Sequence, residues 1–264
     1  LPLFPGNPPA IHLSHFRIPL QLNTPDKNST GFLATEPDAQ RYENASPDSD
    51  NVGTKLSNLI SRGSRVLDVG CGTGSVSQII VQLTGSKVIG IEPDEARVQA
   101  AQARGIEAYH GYLSEAFLTA HGPFDAVVFA DVLEHLPNPA AVILIAKKGL
   151  KPGGSIVVSV PNVAHWFVRG DLLAGRFDYQ DCGIMDATHL RWFTRKTILE
   201  LFERLGFEIT AVDCTVNVEL PDYGRRAPWR WMPLPFRRRL VASLVRFRPT
   251  LFGCQHIVRA TIKS

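Results

Sequence analysis

The stretch that decides the fold is VLDVGCGTG, residues 66–74, in which an apolar run passes directly into a glycine-rich turn. The apolar half has the composition of a strand buried inside a parallel sheet. Gly70, Gly72 and Gly74 allow the chain to turn sharply before a helix, and they leave no side chains between the backbone and a ligand. Asp68 lies inside the end of the strand, where burying an unpaired charge is costly, so its carboxylate needs a partner. A ligand ammonium, directly or through water, would be such a partner.

Further features of an α/β nucleotide-binding fold follow this stretch along the chain. Residues 87–91 (KVIGI) predict the next strand, and Glu92 follows it, 18 residues after Gly74. This is close to the spacing at which α/β nucleotide-binding folds place an acid on ribose hydroxyls. Residues 124–130 (FDAVVFA) predict a buried strand that is followed by DVLEHL, and the turn LKPGG leads into another strand at 155–160. A bare G-x-G-x-G turn also fits dinucleotide-binding proteins, but the combination is more specific.

The string VLDVGCGTG resembles motif I of the class I S-adenosylmethionine (SAM) methyltransferases, and the resemblance covers roughly residues 50–215 and the final strand. It implies an α/β fold with a doubly wound, seven-stranded, mostly parallel sheet of the Rossmann-like methyltransferase type, whose last strand is antiparallel. It also implies SAM as the cofactor. The cofactor-binding residues implied are Asp68, Gly70, Cys71, Gly72, Gly74, Glu92, Pro93, Tyr112, Leu113, Ala130 and Asp131.

One position departs from the family pattern. The loop after the third strand often carries an acid that accepts from the adenine amino group, and here that loop reads His110-Gly-Tyr-Leu113. Tyr112 stands where the acid would be expected. We therefore expect adenine to be held by the Leu113 backbone N–H and by stacking on an aromatic face.

Length and composition fit one large α/β domain with extensions. The chain has 264 residues, 44% hydrophobic and 20% charged, as is ordinary for a globular enzyme. No apolar run approaches the ~18 residues of a membrane span, and the N-terminus lacks the pattern of a signal peptide. The cysteines (Cys71, Cys182, Cys214 and Cys254) form no C-x-x-C pair. These features predict a cytoplasmic protein with reduced thiols.

The net charge of +3 conceals an asymmetry, because residues 221–264 carry nine arginines and one lysine against Asp222 alone. This segment is therefore +9, and the rest of the chain is −6. Such a block can indicate nucleic acid or an anionic surface as a partner. The interpretation preferred here is a solvated basic helix with a cap that handles a phosphorylated substrate or packs on an acidic neighbour.

Residues 1–50 hold eight of the nineteen prolines and predict an extended N-terminal arm, which could be an active-site lid, a dimer contact or disordered. Alternating helices and strands predict a methyltransferase domain over 51–264, with cap insertions at about 161–194 and 217–253. The second insertion contains a basic helix at 237–247, whose apolar face could touch a membrane surface; packing on the domain is the preferred interpretation. A homo-oligomer is compatible with this organisation.

Three histidines are candidates for removing a proton from a hydroxyl acceptor. His135 follows the fourth strand, at the edge where a doubly wound sheet opens its ligand crevice. His189 lies in DATHLRWF, residues 186–193, and His165 lies in PNVAHW, at the end of the fifth strand. We expect the three to converge on one pocket, with His189 or His135 as the general base.

A divalent metal site is a further hypothesis. On a helix, Asp131, Glu134 and His135 would share one face, and His189 from the insertion would complete a mixed oxygen and nitrogen ligand set. The arrangement resembles that of metal-using small-RNA 2′-O-methyltransferases and of ubiquinone-pathway O-methyltransferases. Because Glu-His at this point is also common in methyltransferases without a metal, this hypothesis is not the favoured one.

Residues 160–193 resemble bacterial methyltransferases found with glycan and secondary-metabolite pathways, which implies a sugar or small-molecule hydroxyl as the acceptor. Arg176 could bind a phosphorylated or glycosylated acceptor through bidentate contacts. The predicted substrate-binding residues are Asn162, His165, Trp166, Arg191 and Trp192. The alternatives are an RNA 2′-O-methyltransferase that uses the basic C-terminal segment, and a non-catalytic SAM-binding regulatory partner.

Overall fold

A computed structural model of the chain describes residues 50–218, 220, 223, 224 and 226–263. The predicted arm at 1–50 lies, except for Asp50, outside the described residues. The sheet has seven strands in the order β3-β2-β1-β4-β5-β7-β6, with β7 antiparallel to both of its neighbours. The strands are β1 (Arg65–Val69), β2 (Lys87–Glu92), β3 (Glu107–His110), β4 (Phe124–Ala130), β5 (Leu150–Pro161), β6 (Phe207–Cys214) and β7 (Gln255–Ile262). The predicted fold class is thereby confirmed.

Helices pack on both faces of this sheet and continue into the insertions. They are α1 (Val52–Ser57), α2 (Ser75–Thr84), α3 (Glu95–Ala103), α4 (Glu115–His121), α5 (Pro139–Lys148), α6 (Trp166–Leu173), α7 (Arg195–Arg204), α8 (Leu234–Phe247) and α9 (Pro249–Phe252). Short 3₁₀ turns lie at Leu133–His135 and Trp229–Trp231. In the part of the chain that the structure describes, no helix is long and apolar enough to cross a membrane.

Local sequence explains where several helices begin. The side chain of Asp94 caps α3 by accepting from the Arg97 amide, and Asn138 caps α5 by accepting from the Ala141 amide. The first helical position of α5 is Pro139, whose missing N–H costs nothing there. These caps fix the helices that follow β2 and β4, and therefore the loops at the edge of the sheet where the site lies.

The centre of the sheet is closed to water. Leu67 in β1, Val127 in β4 and Ile156 in β5 are fully buried, as expected for parallel strands that are covered on both faces. The loops after these strands all emerge at the carboxyl edge of the sheet, where α/β proteins bind their ligands.

The two insertions pack together as one cap with its own apolar cluster. Tyr223 of the second insertion is fully buried in this cluster, and its hydroxyl accepts from Trp166 Nε1 of the first insertion at 3.3 Å. The carboxylate of Asp171 accepts from Arg176 within the first insertion and from Arg226 of the second. The cap is therefore held by apolar packing and by an ion pair that joins its two sequence segments.

Candidate active site

The sharp turn predicted at the three glycines is formed with a left-handed backbone. Gly70, Gly72 and Gly74 have φ angles of 71°, 54° and 79°, a region that other residues rarely adopt. A Cβ on Gly70 would lie 2.8 Å from the Val132 side chain, whereas a Cβ on Gly72 would meet no described atom within 4 Å. The backbone at Gly72 therefore borders open space that a ligand can fill.

Asp68 is fully buried at the end of β1, directly beneath this turn. Its Oδ2 accepts from Ser77 Oγ at 2.5 Å, and its Oδ1 has no hydrogen-bond partner among the described residues. Burial raises the pKa of Asp68 to about 7, and the charge of Glu92 contributes to the increase. A buried carboxylate oxygen that faces no donor is suited to a cationic ligand.

Glu92, at the end of β2, holds the two loops of this crevice together. Its Oε2 accepts from the Gly72 amide at 2.9 Å, and its Oε1 accepts from the Asp94 amide at 3.1 Å. Each carboxylate oxygen can accept a second hydrogen bond. Glu92 can therefore bind the two neighbouring hydroxyls of a ribose while it keeps the glycine turn in place.

The other predicted cofactor residues have varied surroundings. Leu113 packs against the main core, whereas the side chain of Tyr112 is 81% exposed. The Pro93 carbonyl lies 2.9 Å from His110 Nε2. Cys71 is buried, and burial raises the pKa of its thiol, so it remains protonated and serves as a small packing residue.

The expectation that Asp131 begins a helix with Glu134 and His135 is wrong. Asp131 has a φ of 54°, and the residues directly after it form a short 3₁₀ turn at Leu133–His135 and not an α-helix. Its Oδ1 accepts from Ser159 Oγ at 2.8 Å, and its Oδ2 accepts from Gln255 Nε2 at 2.6 Å. Burial raises the pKa of Asp131 to about 6. Its carboxylate anchors the loop after β4, with Ala130 preceding it at the strand end.

The structure brings together the other three residues of the hypothetical metal site. Potential ligand atoms of Glu134, His135 and His189 all lie within 4.8 Å of one another. The cap loop reaches this place through the backbone, because the Glu134 carbonyl accepts from the amides of Leu190 and Arg191 at 2.8 and 2.9 Å. The loop after β4 and the first insertion therefore form one site.

Glu134 is a buried acid whose side chain makes no hydrogen bond with the described residues. Both of its carboxylate oxygens are buried without a hydrogen-bond partner in that part of the chain. Burial raises the pKa of Glu134 well above its ordinary value, and the charges of Asp131 and Asp186 raise it further. The raised pKa favours the neutral form of this carboxyl group, and a neighbouring cation would favour the ionised form.

The two histidines are oriented by backbone carbonyls. His135 Nδ1 lies 3.3 Å from the Thr188 carbonyl, and His189 Nδ1 lies 3.1 Å from the Ile184 carbonyl. Because a carbonyl only accepts, these contacts favour the tautomer in which Nδ1 carries the proton and Nε2 carries the lone pair. Metal-binding histidines and histidine bases are commonly oriented in this way.

His165 lies elsewhere, which corrects the expectation that three histidines converge. Its ring is fully buried between Phe167 at 4.7 Å and Trp166 at 5.9 Å, with Tyr223 at 6.4 Å. Burial lowers the pKa of His165 to about 3. His165 and Trp166 were predicted to contact the substrate, but in the structure their rings pack inside the cap.

Asn162 and Arg191 also hold the cap in place. Asn162 is fully buried, its Nδ2 donates to the carbonyls of Thr250 and Gly253, and its Oδ1 accepts from the Ala164 amide. Arg191 is exposed, and its Nε donates to the Pro137 carbonyl at 3.1 Å. The geometry gives Asn162 a structural role, whereas Arg191 remains accessible to a ligand beside the site.

An aromatic face lies next to the histidine pair. Its member Trp192 was predicted to bind the substrate, whereas Phe177 and Tyr179 were not. The Trp192 ring lies 5.5 Å from the His189 ring and 5.6 Å from the Phe177 ring, and Tyr179 lies 6.2 Å from Trp192. Phe177 and Tyr179 are both more than two-fifths exposed. In the sequence, Phe177 and Tyr179 belong to the string GRFDY at 175–179. This string has no helical or strand periodicity from which its position beside His189 could be predicted.

The model of the methyltransferase domain family matches residues 40–212. The chain belongs to this family. The methyltransferase is SAM-dependent, in keeping with its glycine turn, with the buried Oδ1 of Asp68 that has no partner among the described residues and with the position of Glu92 beside Gly72. A SAM-dependent methyltransferase from Archaeoglobus fulgidus shows the same fold, with a TM-score of 0.55 at 20% identity over 80% of this chain and 92% of that one.

Curated relatives of this methyltransferase are named ubiquinone biosynthesis O-methyltransferase. The relative from Leptothrix cholodnii is 33% identical over 164 residues, which are 55% of this chain and 68% of the relative. A relative from Xanthomonas oryzae pv. oryzae is 39% identical over 106 residues, which are 38% of this chain and 44% of the relative. The second match thus spans less than half of that relative's length.

Proposed function

We propose that the methyltransferase transfers the methyl group of SAM to a hydroxyl of a small molecule. The observation that carries this proposal is the grouping of Glu134, His135 and His189 at the carboxyl edge of the sheet. A hydroxyl acceptor must lose its proton during the transfer, and a neutral imidazole is suited to take it. The O-methyltransferases among the curated relatives support oxygen as the accepting atom.

The roles of the residues follow from their positions. Bound SAM would supply a methyl group made electrophilic by its sulfonium. Asp68 and Glu92 would hold the amino acid and ribose ends of that molecule, and the open backbone at Gly72 would border it. As the acceptor oxygen forms its bond to the methyl carbon and the carbon–sulfur bond breaks, the hydroxyl proton would pass to Nε2 of His189 or His135.

The acceptor that fits this site carries its hydroxyl on a ring. Trp192, Phe177 and Tyr179 form the aromatic face beside His189, and such a face stacks on a phenol or on the apolar face of a sugar. Arg191 at the rim can contact a phosphate or carboxylate on the same molecule.

A divalent cation at the same cluster is a second proposal, and a specific observation favours it. Glu134 offers two buried oxygens without partners in the described residues, beside two histidines whose Nδ1 atoms face carbonyls. One carboxylate and two imidazoles fit a transition-metal or zinc ion better than magnesium. Such an ion would polarise the acceptor hydroxyl and lower its pKa.

Incubation of the protein with methyl-labelled SAM and a metabolite and glycan extract tests the function. We expect label on the oxygen of a ring-bearing small molecule, identified by mass spectrometry, and we expect Trp192→Ala to raise the acceptor KM. Label that appears only in added RNA would favour the RNA 2′-O-methyltransferase. Tight SAM binding with no labelled product in either pool would favour a regulatory protein. A parallel reaction with a chelator, followed by single metal ions, tests the second proposal.

A further inference from the structure

The cap helix α8 has two apolar faces, and only one of them packs against other parts of the described chain. Val241 and Val245 are buried in the apolar cluster of the cap. At about 100° per residue, Phe236 and Phe247 lie on the opposite face. They are 58% and 75% exposed. The inner face explains the predicted packing on the domain, and the outer face needs a separate explanation.

The outer face is a continuous stripe. Phe236, Leu240, Ser243 and Phe247 are spaced by four, three and four residues, which places them along one line of the helix. The two phenylalanines at its ends are about 16 Å apart along the helix axis at ~1.5 Å per residue. Large exposed aromatic side chains on one helix face are typical of a surface that binds something apolar.

Apolar exposure continues into the turn that precedes the helix. Trp231 is 68% exposed and Leu234 is 45% exposed. The guanidinium of Arg230 lies 4.7 Å from the centre of a Trp231 ring. Tryptophan and arginine in this arrangement suit a level where water meets an apolar phase, because each has an apolar body and a polar end.

The charged residues of α8 all have one sign. Arg239 and Arg246 are exposed on one flank of the stripe, and α8 itself contains no Asp or Glu. A cationic flank beside an apolar stripe is complementary to an anionic surface that has an apolar layer beneath it. Nucleic acid offers the anionic groups but no layer that would cover two phenylalanine side chains and a leucine.

We propose that the outer face of α8, together with Trp231, docks the methyltransferase on an anionic lipid surface. The helix lies in the plane of the interface, with Phe236 and Phe247 below the headgroups and Arg239 and Arg246 among the lipid phosphates. Docking of this kind is peripheral and reversible, and it depends on both apolar area and negative lipid charge. The inference does not depend on the identity of the methyl acceptor.

Co-sedimentation with vesicles tests the docking. The full chain is expected to sediment with vesicles of phosphatidylcholine and phosphatidylglycerol, and much less with phosphatidylcholine alone. The variant Phe236→Ser/Phe247→Ser is expected to lose roughly tenfold or more in vesicle affinity. The matched control is Leu83→Ser/Leu144→Ser, which changes two partly exposed leucines on other helices and should bind like the unaltered protein. Arg239→Gln/Arg246→Gln should bind anionic vesicles more weakly and with less dependence on salt.

Fluorescence provides a second readout that does not depend on sedimentation. On anionic vesicles the tryptophan emission should shift to shorter wavelength, and Trp231→Phe should remove most of that shift. Equal vesicle binding by the Phe236→Ser/Phe247→Ser variant and the control would overturn the proposal. So would a dimer in gel filtration that this variant dissociates, or RNA binding with the same dependence on the two phenylalanines. Circular dichroism of each variant establishes that it is folded.

Discussion

The imidazole rings of His135 and His189 lie 4.9 Å apart, although one follows β4 and the other belongs to the cap. The contact exists because the cap loop is bonded to the 3₁₀ turn through the Glu134 carbonyl. The residues that could remove a proton or bind a cation are therefore assembled only in the fully folded chain.

Replacing either histidine should reduce turnover more than binding. His189→Ala and His135→Ala are each expected to lower kcat by about 10²-fold or more, as is usual when a general base is lost. The Kd for SAM should stay close to that of the unaltered protein, because neither residue belongs to the Asp68 and Glu92 crevice. His121→Ala is the matched control, since His121 packs on α4 against Tyr109 and Phe117. Unchanged kcat in both variants would exclude the proposed base.

Replacing Glu134 tests whether the cluster of Glu134, His135 and His189 binds a divalent cation or acts without a metal. The folded-state pKa of Glu134 is raised, so without a cation its contribution to stability is present at acidic pH and is lost as the pH rises. Glu134→Gln should therefore increase the free energy of unfolding of chelator-treated protein at pH 8. If the cluster binds a cation, the same variant should lower metal affinity by at least about tenfold.

The measurements are urea denaturation with and without chelator, and metal content by elemental analysis. Full stability and activity of the chelated protein, unaffected by any added divalent ion, would contradict the metal proposal while leaving the histidine base intact.

SAM binding should depend on pH through Asp68. Its pKa is raised to about 7 in the free protein, so near neutrality much of the carboxyl group is protonated. A cationic ligand binds the ionised form, and affinity should therefore increase between pH 6 and 8 with release of a proton. Asp68→Asn should weaken binding by about 2 kcal/mol, roughly 30-fold, and abolish this pH dependence. Calorimetry in buffers of different ionisation enthalpy measures both effects; proton release that persists in Asp68→Asn would assign it to another group.

His165 should affect stability in acid and not catalysis. Its folded-state pKa of about 3 lies below the ordinary value of 6.5, so its contribution to stability is lost as the pH falls below 6.5. At pH 5 this cost is about 2 kcal/mol. His165→Phe should recover much of it, because the site is already lined by aromatic rings. Urea denaturation at pH 5 and 7.5 checks the change. A large fall in kcat in His165→Phe would contradict this prediction and indicate that His165 acts in the active site.

The sheet was predictable because its signals are local. The strand predicted at 124–130 has the bounds observed for β4, and the strand predicted at 87–91 ends one residue before β2 does. The helix α4 was missed although Ser114 caps it, since its seven residues are too few for a clear apolar period.

The site was predictable in its residue types and less so in its geometry. Helical spacing placed Asp131 beside Glu134, whereas the left-handed backbone at Asp131 directs its carboxylate to Ser159 and Gln255. Whether a histidine is buried or faces a ligand depends on contacts across the cap, which is why His165 and His189 looked alike in sequence.

The bond between the Glu134 carbonyl and the cap loop involves main-chain atoms only. These two main-chain bonds are therefore retained when the side chains at residues 190 and 191 are exchanged, and proline, which has no N–H, is the residue that would remove one of them. A lineage of such enzymes can acquire new acceptors by altering the chemistry of the cap surface while His189 is delivered to the same place. In the proposed mechanism, the residues that contact the acceptor and the base at His189 can therefore change independently, although they lie on one loop.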